Sequence, residues 1–403
     1  MKKIVFICLT FHWPPLGGAW IDEKEILSRL AKTCDVTLIV TDFQKFFPRG
    51  KIEEDLPFKI IKIPFNILSF NFYNVSKNIS RVVRSINPDF VIFGEGGILK
   101  PFIINELKDY NIILRFYSTS VWCFDQNYFP EGKPCNNTLL DDYVKCVKCA
   151  FKIGLVNKNL NRFHEFLASF GFLPTYLNSL KNCYRNANRI IVYNEDIKKS
   201  LIDFNKNVSV IPGGVDCERF SPKENKKENN NINIIMSGRG DDPSKGLNVL
   251  RMACNQLIKS GEKIKLKVTW CFSEPPKLEE YIEVLRWINY KDLPSFYHDA
   301  DICIVPSLWP EPFGITAIEA MACGKPVIAS RIGGLKDIVG HEENGFLFEP
   351  GNYKELAEKI KILIEDKEIR KKMGEKGRLK AEREYDWNVI VKKYYHPLLG
   401  IQE

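Results

Sequence analysis

The sequence contains no apolar run of the roughly 18 residues that a membrane-spanning helix requires, which excludes a helical integral membrane protein. It has no aromatic-and-basic motif of the kind that binds nucleic acid, so no nucleic-acid partner is expected. No internal repeat of short period is present, which excludes a solenoid. The N-terminal Lys-Lys pair and the apolar stretch Ile4–Leu9 imitate a signal peptide. The stretch is short, however, and Pro14, Pro15, Gly17 and Gly18 follow it with no small-residue cleavage pattern. It reads as a first β-strand, and the expected location is the cytoplasm.

At 403 residues, with 45% hydrophobic and 27% charged residues, the chain has ordinary soluble-protein composition and length enough for two cores. The net charge of +8 is uneven. Residues 1–222 carry 29 Lys and Arg against 22 Asp and Glu, and the remainder 29 against 28. An excess of this kind fits an anionic membrane surface or an acidic acceptor; a solvated lysine-rich surface explains it equally well.

Strand-like runs alternate with helical patterns, which argues for parallel α/β sheets. The first series is Ile4–Leu9, Val36–Thr41, Lys59–Ile63, Asp89–Phe93, Ile112–Phe116, Arg189–Tyr193 and Val208–Ile211. The polar stretch 222–233 is the natural linker. The alternation then restarts at Asn233–Ser237, Ile264–Trp270, Asp301–Val305 and Val327–Ala329. Two Rossmann-like domains are expected, at 1–222 and 223–384, with ligands in a cleft beyond the strand ends.

Residues 306–334 carry the most chemistry. Glu311 and Glu319 are separated by seven residues. The first lies at a Pro-Glu-Pro-Phe-Gly turn and the second on the helix that the turn opens, with Pro312 suited to its first turn. Phe313, Gly314, Ile315 and Thr316 would present backbone amides at a partly positive helix end, a ready anion site. A sugar, a diphosphate and a ribose could be held in that order. About 70 residues upstream, Ile235-Met-Ser-Gly-Arg-Gly-Asp-Asp-Pro-Ser-Lys-Gly246 runs from a strand through a glycine loop, with Arg239 and Lys245 at its ends. Two fixed cations there would stabilise a departing diphosphate more as its charge develops than before. After the first strand, Gly17 and Gly18 could let the backbone approach a donor phosphate or sugar, although the loop has no Gly-x-Gly-x-x-Gly fingerprint.

Taken together, these segments resemble retaining glycosyltransferases of the GT-B fold, the group 1 or family-four type that includes sucrose and mannosyl transferases. Val210–Phe220 resembles the family's hinge phrase and Tyr297–Ser307 its strand entering the donor site. The resemblance implies two Rossmann-like domains facing a central cleft, with a terminal helix at about 385–403 packing back on the first. It implies a nucleotide-sugar donor, UDP- or GDP-linked, with Arg239 and Lys245 on the diphosphate, Glu311 on the sugar and Glu319 on the ribose hydroxyls. Arg239, Lys245 and Glu311 would carry catalysis, mostly by positioning and electrostatics. The acceptor would be a glycan or lipid-linked molecule in cell-surface polysaccharide or glycoconjugate synthesis. No catalytic divalent metal is expected, since no Asp-x-Asp arrangement argues for one.

The chain departs from the family's pattern at one point. Many relatives carry His-Asp shortly before a Trp and a Cys after the fifth strand. Here, with Cys123 aligned, Tyr117 and Ser118 stand at those places, and tyrosine cannot carry a proton near neutral pH as imidazole can. His12 in the first loop reads as an exposed residue. The gap keeps a second reading open, in which a catalytically weak donor-binding protein serves a glycan-assembly complex.

Two further features lie in the first half. Cys123, Cys135, Cys146 and Cys149 mark an insertion at about 123–150, and the Cys146-x2-Cys149 knuckle suits one tetrahedral structural zinc. An iron–sulfur cluster or free thiols are the alternatives. Between Phe151 and Arg189, apolar residues recur at helical spacing among six Lys and Arg and one Glu. Such a segment can lie on the cytoplasmic face of an anionic membrane as a peripheral contact, or pack on the sheet.

Overall fold

The structure, a computed structural model, describes residues 1–43, 49–117, 122–124, 135, 137–156, 160–223, 231–271 and 273–401. The chain divides into two compact units. The first takes in Met1–Pro130, Cys135–Ile211 and Val391–Glu403, the second Pro212–Ile390 with Glu131–Pro134.

In the first unit the strands are β1 (Lys3–Cys8), β2 (Asp35–Asp42), β3 (Lys59–Pro64), β4 (Phe90–Phe93), β5 (Ile112–Arg115), β6 (Arg189–Val192) and β7 (Val208–Val210). They form one parallel sheet in the order β3-β2-β1-β4-β5-β6-β7. The central strands are near-continuous Val, Ile, Leu and Phe, as a sheet covered on both faces requires. Val5, Ile7, Val91, Phe93, Ile112, Leu114, Ile190 and Val192 share one face and build the main core. The helix Phe72–Ile86 covers that core with Val75, Ile79 and Val83. Asn71 caps it, its side chain accepting from Asn74 N–H at 3.0 Å, and Asn87 ends it in the left-handed region at φ 50°, a position asparagine tolerates. The sheet order reverses direction beside β1, the kind of point at which open α/β sheets bind ligands beyond their strand ends.

The second unit is a parallel sheet of β8 (Ile232–Met236), β9 (Ile264–Trp270), β10 (Ile282–Arg286), β11 (Ile302–Val305), β12 (Val327–Ser330) and β13 (Gly345–Phe348). Its order is β10-β9-β8-β11-β12-β13. Val215 joins this unit by pairing with Asp386, and its N–H donates to Tyr385 O at 2.8 Å. Arg378 donates to Phe220 O at 2.6 Å and to Ala322 O at 2.7 Å, fastening the segment after Ile211 to the end of the helix Ile315–Ala322.

β10 and β13 were not expected from the sequence. β10 is an edge strand of mixed polarity, Ile-Glu-Val-Leu-Arg, and β13 is a four-residue strand opened by glycine. The helix carrying Glu319 runs Ile315–Ala322 with Gly314 as its N-cap. Pro312 therefore precedes the helix rather than occupying its first turn.

Candidate active site

In the second unit the loop after β8 and the loop after β11 meet. Leu308 N–H donates to Ser244 O at 2.7 Å, and Gly246 lies so close to Pro306 that a Cβ there would stand 1.9 Å from its carbonyl oxygen. The contact brings Lys245 to Glu311, with Nζ 2.6 Å from Oε1. Ser307 donates to the same carboxylate oxygen at 2.7 Å, and the Trp309 ring lies under Lys245, 4.9 Å from Nζ to centroid. Gly333, at φ 53°, packs so tightly against Glu311 that a side chain would bring its Cβ to 2.3 Å from Glu311 O. Gly334 N–H donates to that carbonyl at 2.7 Å. Glu311 is thus fixed by backbone and side chain alike, as a positioning carboxylate requires.

Arg239 pairs with Asp242 at 2.9 Å and stays partly exposed. Its loop is held by Thr269, which accepts Gly238 N–H at 2.8 Å and donates back to Gly238 O. Asp242 also caps the turn leading to Lys245, accepting from Ser244 N–H at 3.0 Å. The amides of Ile315 and Thr316 stand in the first turn of their helix, where they lack a partner further up it, and Gly314 precedes them.

Glu319 is 2% exposed, and Tyr297 donates to its Oε2 at 2.7 Å. Burial pushes its carboxyl up to about 7, with the Tyr297 bond working the other way. Nothing in the sequence spacing pairs Tyr297 with Glu319, nor singles out Ser307 or Trp309; only the packing reveals them. Asp299 and Asp301, which spell Asp-x-Asp, serve the scaffold. Asp299 pairs with Lys267 at 3.1 Å, and Asp301 accepts Asn233 N–H at 2.8 Å.

In the first unit, Gly17 is the N-cap of the helix Gly18–Leu30, with φ −174°, extended backbone open to any residue. His12 is buried rather than exposed, its ring centroid 4.1 Å from that of Trp20. The expectation of an exposed loop histidine is thereby corrected: Trp20, on the first turn of that helix, covers it. Burial lowers its pKa, so it is a neutral imidazole. Tyr117 lies in a buried network. Arg115 clasps Asp22 with Nε–Oδ1 at 3.0 Å and Nη2–Oδ2 at 2.9 Å, and Tyr193 donates to Asp22 at 2.9 Å. The Tyr117 ring packs on this network, 5.2 Å from the Arg115 guanidinium and 5.9 Å from the Tyr193 ring, with its hydroxyl unbonded among the described residues; burial raises its phenol well above the ordinary range.

The expected structural zinc is not supported. Among the described residues no three Cys, His, Asp or Glu side chains gather as a metal-holding group, and all four cysteines are described. The knuckle is part of the helix Tyr143–Val156. Cys146 accepts from Asn137 Nδ2 at 3.1 Å, Cys135 bonds Asn137 O at 3.6 Å, and burial pushes the Cys146 thiol up to about 11. Asn137 links those two sulfurs. The basic apolar segment divides: Tyr176, Leu180 and Tyr184 enter the core, whereas Leu167, Phe170 and Leu173 are exposed. Among the described residues no helix is long and apolar enough to cross a membrane.

The profile of the family described as Glycosyl transferases group 1 matches residues 217–380. A glycosyltransferase of Methanocaldococcus jannaschii, itself described as uncharacterized, is 32% identical over 363 residues, spanning 86% of this chain and 93% of that protein. The chain belongs to the group 1 glycosyltransferases. The capsular polysaccharide biosynthesis glycosyltransferase CapM of Staphylococcus aureus is 30% identical over 51% of this chain and 59% of its own length. Among solved structures, sucrose-phosphate synthase from Thermosynechococcus elongatus superposes with a TM-score of 0.70 at 20% identity, each chain fully covered. Anabaena HepE in complex with UDP-glucose gives 0.68 at 17%, covering 99% of this chain and all of that one. At those identities the likeness is one of fold, and that fold is GT-B: two parallel-sheet Rossmann-like domains. This glycosyltransferase carries its Glu311–Glu319 pair and its Arg239 and Lys245 within one unit.

Proposed function

We propose that this glycosyltransferase transfers a sugar from a nucleotide sugar, UDP- or GDP-linked, to a glycan or lipid-linked acceptor, with retention at the anomeric carbon. The observation that carries the reading is the fixed triad of Lys245, Glu311 and Ser307 beside a helix N-terminus that has buried Glu319 one turn along. Arg239, Lys245 and the amides at Phe313, Gly314, Ile315 and Thr316 would hold the diphosphate, and Glu319 the vicinal ribose hydroxyls. Glu311 would hold hydroxyls of the sugar, and Gly17 and Gly18 would let backbone approach the donor. As the glycosidic bond breaks, negative charge grows on the leaving phosphate. Arg239 and Lys245 oppose that charge without rearranging, and a phosphate oxygen takes the acceptor's proton on the same face. No divalent ion enters this scheme. CapM, by its name, acts in capsular polysaccharide biosynthesis, which supports a polysaccharide product, and HepE was solved with UDP-glucose, which supports a nucleotide-sugar donor.

A cytoplasmic enzyme that touches the anionic membrane face is the setting we infer. Exposed Leu68, Tyr73, Phe170 and Leu173 in the first unit support it, with Lys77 and Arg81 exposed near Tyr73. The second reading, a catalytically weak donor-binding protein, draws on Tyr117: a buried neutral phenol cannot replace a mobile imidazole. Nucleotide release from UDP-, GDP- and ADP-sugars separates the two, with Arg239→Ala and Glu319→Ala as controls. Release from one donor, lost in both variants, is the expected result. Binding without release, even with membrane lipid added, would favour the second reading.

A further inference from the structure

Glu319 stands on the helix Ile315–Ala322 and Tyr297 on the helix Leu293–His298, and both side chains are buried. The Tyr297 hydroxyl donates to Glu319 Oε2 at 2.7 Å, and among the described residues no donor meets Oε1. The Tyr297 ring is held between Phe220 and Phe296, each 6.0 Å away between centroids, so the hydroxyl is aimed by packing. No cation pairs with the carboxylate among the described residues. Lys325 donates to His298 O at 3.0 Å and Ala300 O at 2.9 Å, and Arg378 donates to Phe220 O and Ala322 O and pairs with Glu382. His298 is bonded to Ser221 O at 2.8 Å. Two thiols also face the pair, Cys303 on β11 and Cys323 one turn beyond Glu319, and burial pushes Cys323 up to about 12. The phenol is thus the one polar partner that the described chain gives this carboxylate.

The last torsion of a glutamate is broad and roughly two-fold, so a carboxylate held only by its own chain presents its oxygens over a wide range. A phenol at 2.7 Å pins one oxygen and with it the plane of the group. An ionised carboxyl accepts at about four lone-pair positions. Tyr297 fills one of them and leaves Oε1 open for ligand hydroxyls. Given the ribose role of Glu319, we propose that Tyr297 is a positioning residue of the donor site: it holds the carboxylate in the orientation that meets vicinal ribose hydroxyls, and so sets the preference for a ribonucleotide over its 2′-deoxy counterpart. Burial, with the Glu319 charge beside it, raises the Tyr297 phenol well above its ordinary range. It therefore keeps its proton and can only donate to the carboxylate. That bond also favours the ionised form of Glu319, the form to which ribose hydroxyls donate. A phenol that merely satisfied a buried acid would leave the ribose preference untouched.

Calorimetric titration of the whole protein with UDP and GDP, and with their 2′-deoxy counterparts, tests this across pH in the wild type, Tyr297→Phe and Glu319→Gln. In the wild type the ribonucleotide that binds should exceed its 2′-deoxy form by about tenfold or more, the scale of a hydrogen bond to a charged group. Tyr297→Phe keeps the ring and removes only the hydroxyl. It should shrink that ratio to a few-fold and move the rise of affinity with pH upward by about one unit. A uniform loss of affinity, with the ratio and the pH of the rise as in the wild type, overturns the proposal. If Tyr297→Phe fails to fold, 3-fluorotyrosine placed at position 297 keeps the shape and is the stronger donor. The rise should then move to lower pH, and an unmoved rise overturns the proposal equally. Glu319→Gln separates the two levels. A ratio that collapses in Glu319→Gln but survives in Tyr297→Phe leaves the ribose role of Glu319 standing and removes only Tyr297 from it. A ratio unchanged in Glu319→Gln overturns the ribose role itself, and the role of Tyr297 with it.

Discussion

Lys245 Nζ and Glu311 Oε1 stand 2.6 Å apart, with Ser307 donating to the same oxygen. The pair keeps the lysine aimed before any phosphate arrives, so less rearrangement is needed when charge develops. Each partner also loses its aim when the other is removed.

Lys245→Ala and Glu311→Ala should each lower kcat about 10²–10³-fold, the usual scale for removing one preorganised charge contact. The double variant should fall well short of the product of the two losses, because the residues act as a unit. A double-mutant cycle on nucleotide release measures this. Fully multiplicative losses would mean that the pair seen here plays no part in the reaction.

Glu319 gives a pH dependence with a definite sign. Its carboxyl is at about 7 in the folded chain against an ordinary 4.5, so the folded state holds its proton more tightly than the unfolded one. The stability this contributes is complete below 4.5 and is lost as pH rises to about 7. Donor binding should move the other way, since ribose hydroxyls donate to the carboxylate. Affinity should rise between pH 6 and 8 and then level. Glu319→Gln should flatten that rise and weaken binding by about tenfold or more, the worth of hydrogen bonds to a charged group. Calorimetric titration of the donor nucleotide across pH checks both statements.

Gly246 and Gly333 make a sharper test of how the site is built. Both have positive φ, 78° and 53°, and a Cβ on either would meet backbone oxygen, of Pro306 and of Glu311 respectively. Backbone cannot step aside as a flexible side chain can. Gly246→Ala and Gly333→Ala should each cost about 2 kcal/mol or more. Any folded fraction should show weakened donor affinity, because Lys245 or Glu311 is displaced. Urea melts paired with nucleotide titration read the two effects separately.

The alternation of apolar strands was legible because a parallel sheet buries both faces, so most strands appear as unbroken Ile and Val runs. Ile264–Trp270 was found at its true limits, whereas β10 and β13 lacked that signature, one mixing charges and the other starting at glycine. Motif spacing singled out Arg239, Lys245, Glu311 and Glu319 as candidates. Their partners were not legible in this way: Asp242 lies three residues from Arg239, but Ser307 and Tyr297 reach the glutamates only because strand ends converge. The cysteine knuckle was ambiguous for the opposite reason. Two residues between cysteines suit a zinc loop, but the same spacing also falls on one side of a helix, and here the chain is helical.

Asp22 and Glu23, neighbours on the helix Gly18–Leu30, should answer substitution in opposite ways. Asp22 is gripped by Arg115 through two hydrogen bonds, and both side chains are buried. Asp22→Asn would leave a buried guanidinium without its counter-charge, costing about 3–5 kcal/mol. Glu23 is fully buried, accepts Glu95 N–H at 2.8 Å and leaves its other oxygen without a partner. Burial pushes it up to about 8, so it is a neutral acid through most of the neutral range. Being raised, its contribution is present below 4.5 and is lost as pH climbs toward 8. Glu23→Gln keeps the neutral shape and the accepting oxygen. It should therefore cost little at pH 6, remove most of the decline in stability between pH 5 and 8, and equal or exceed the wild type at pH 8. Thermal melts of both variants across that range give the answer, and a steep pH slope surviving in Glu23→Gln would assign the decline to another buried carboxyl, Glu319 first.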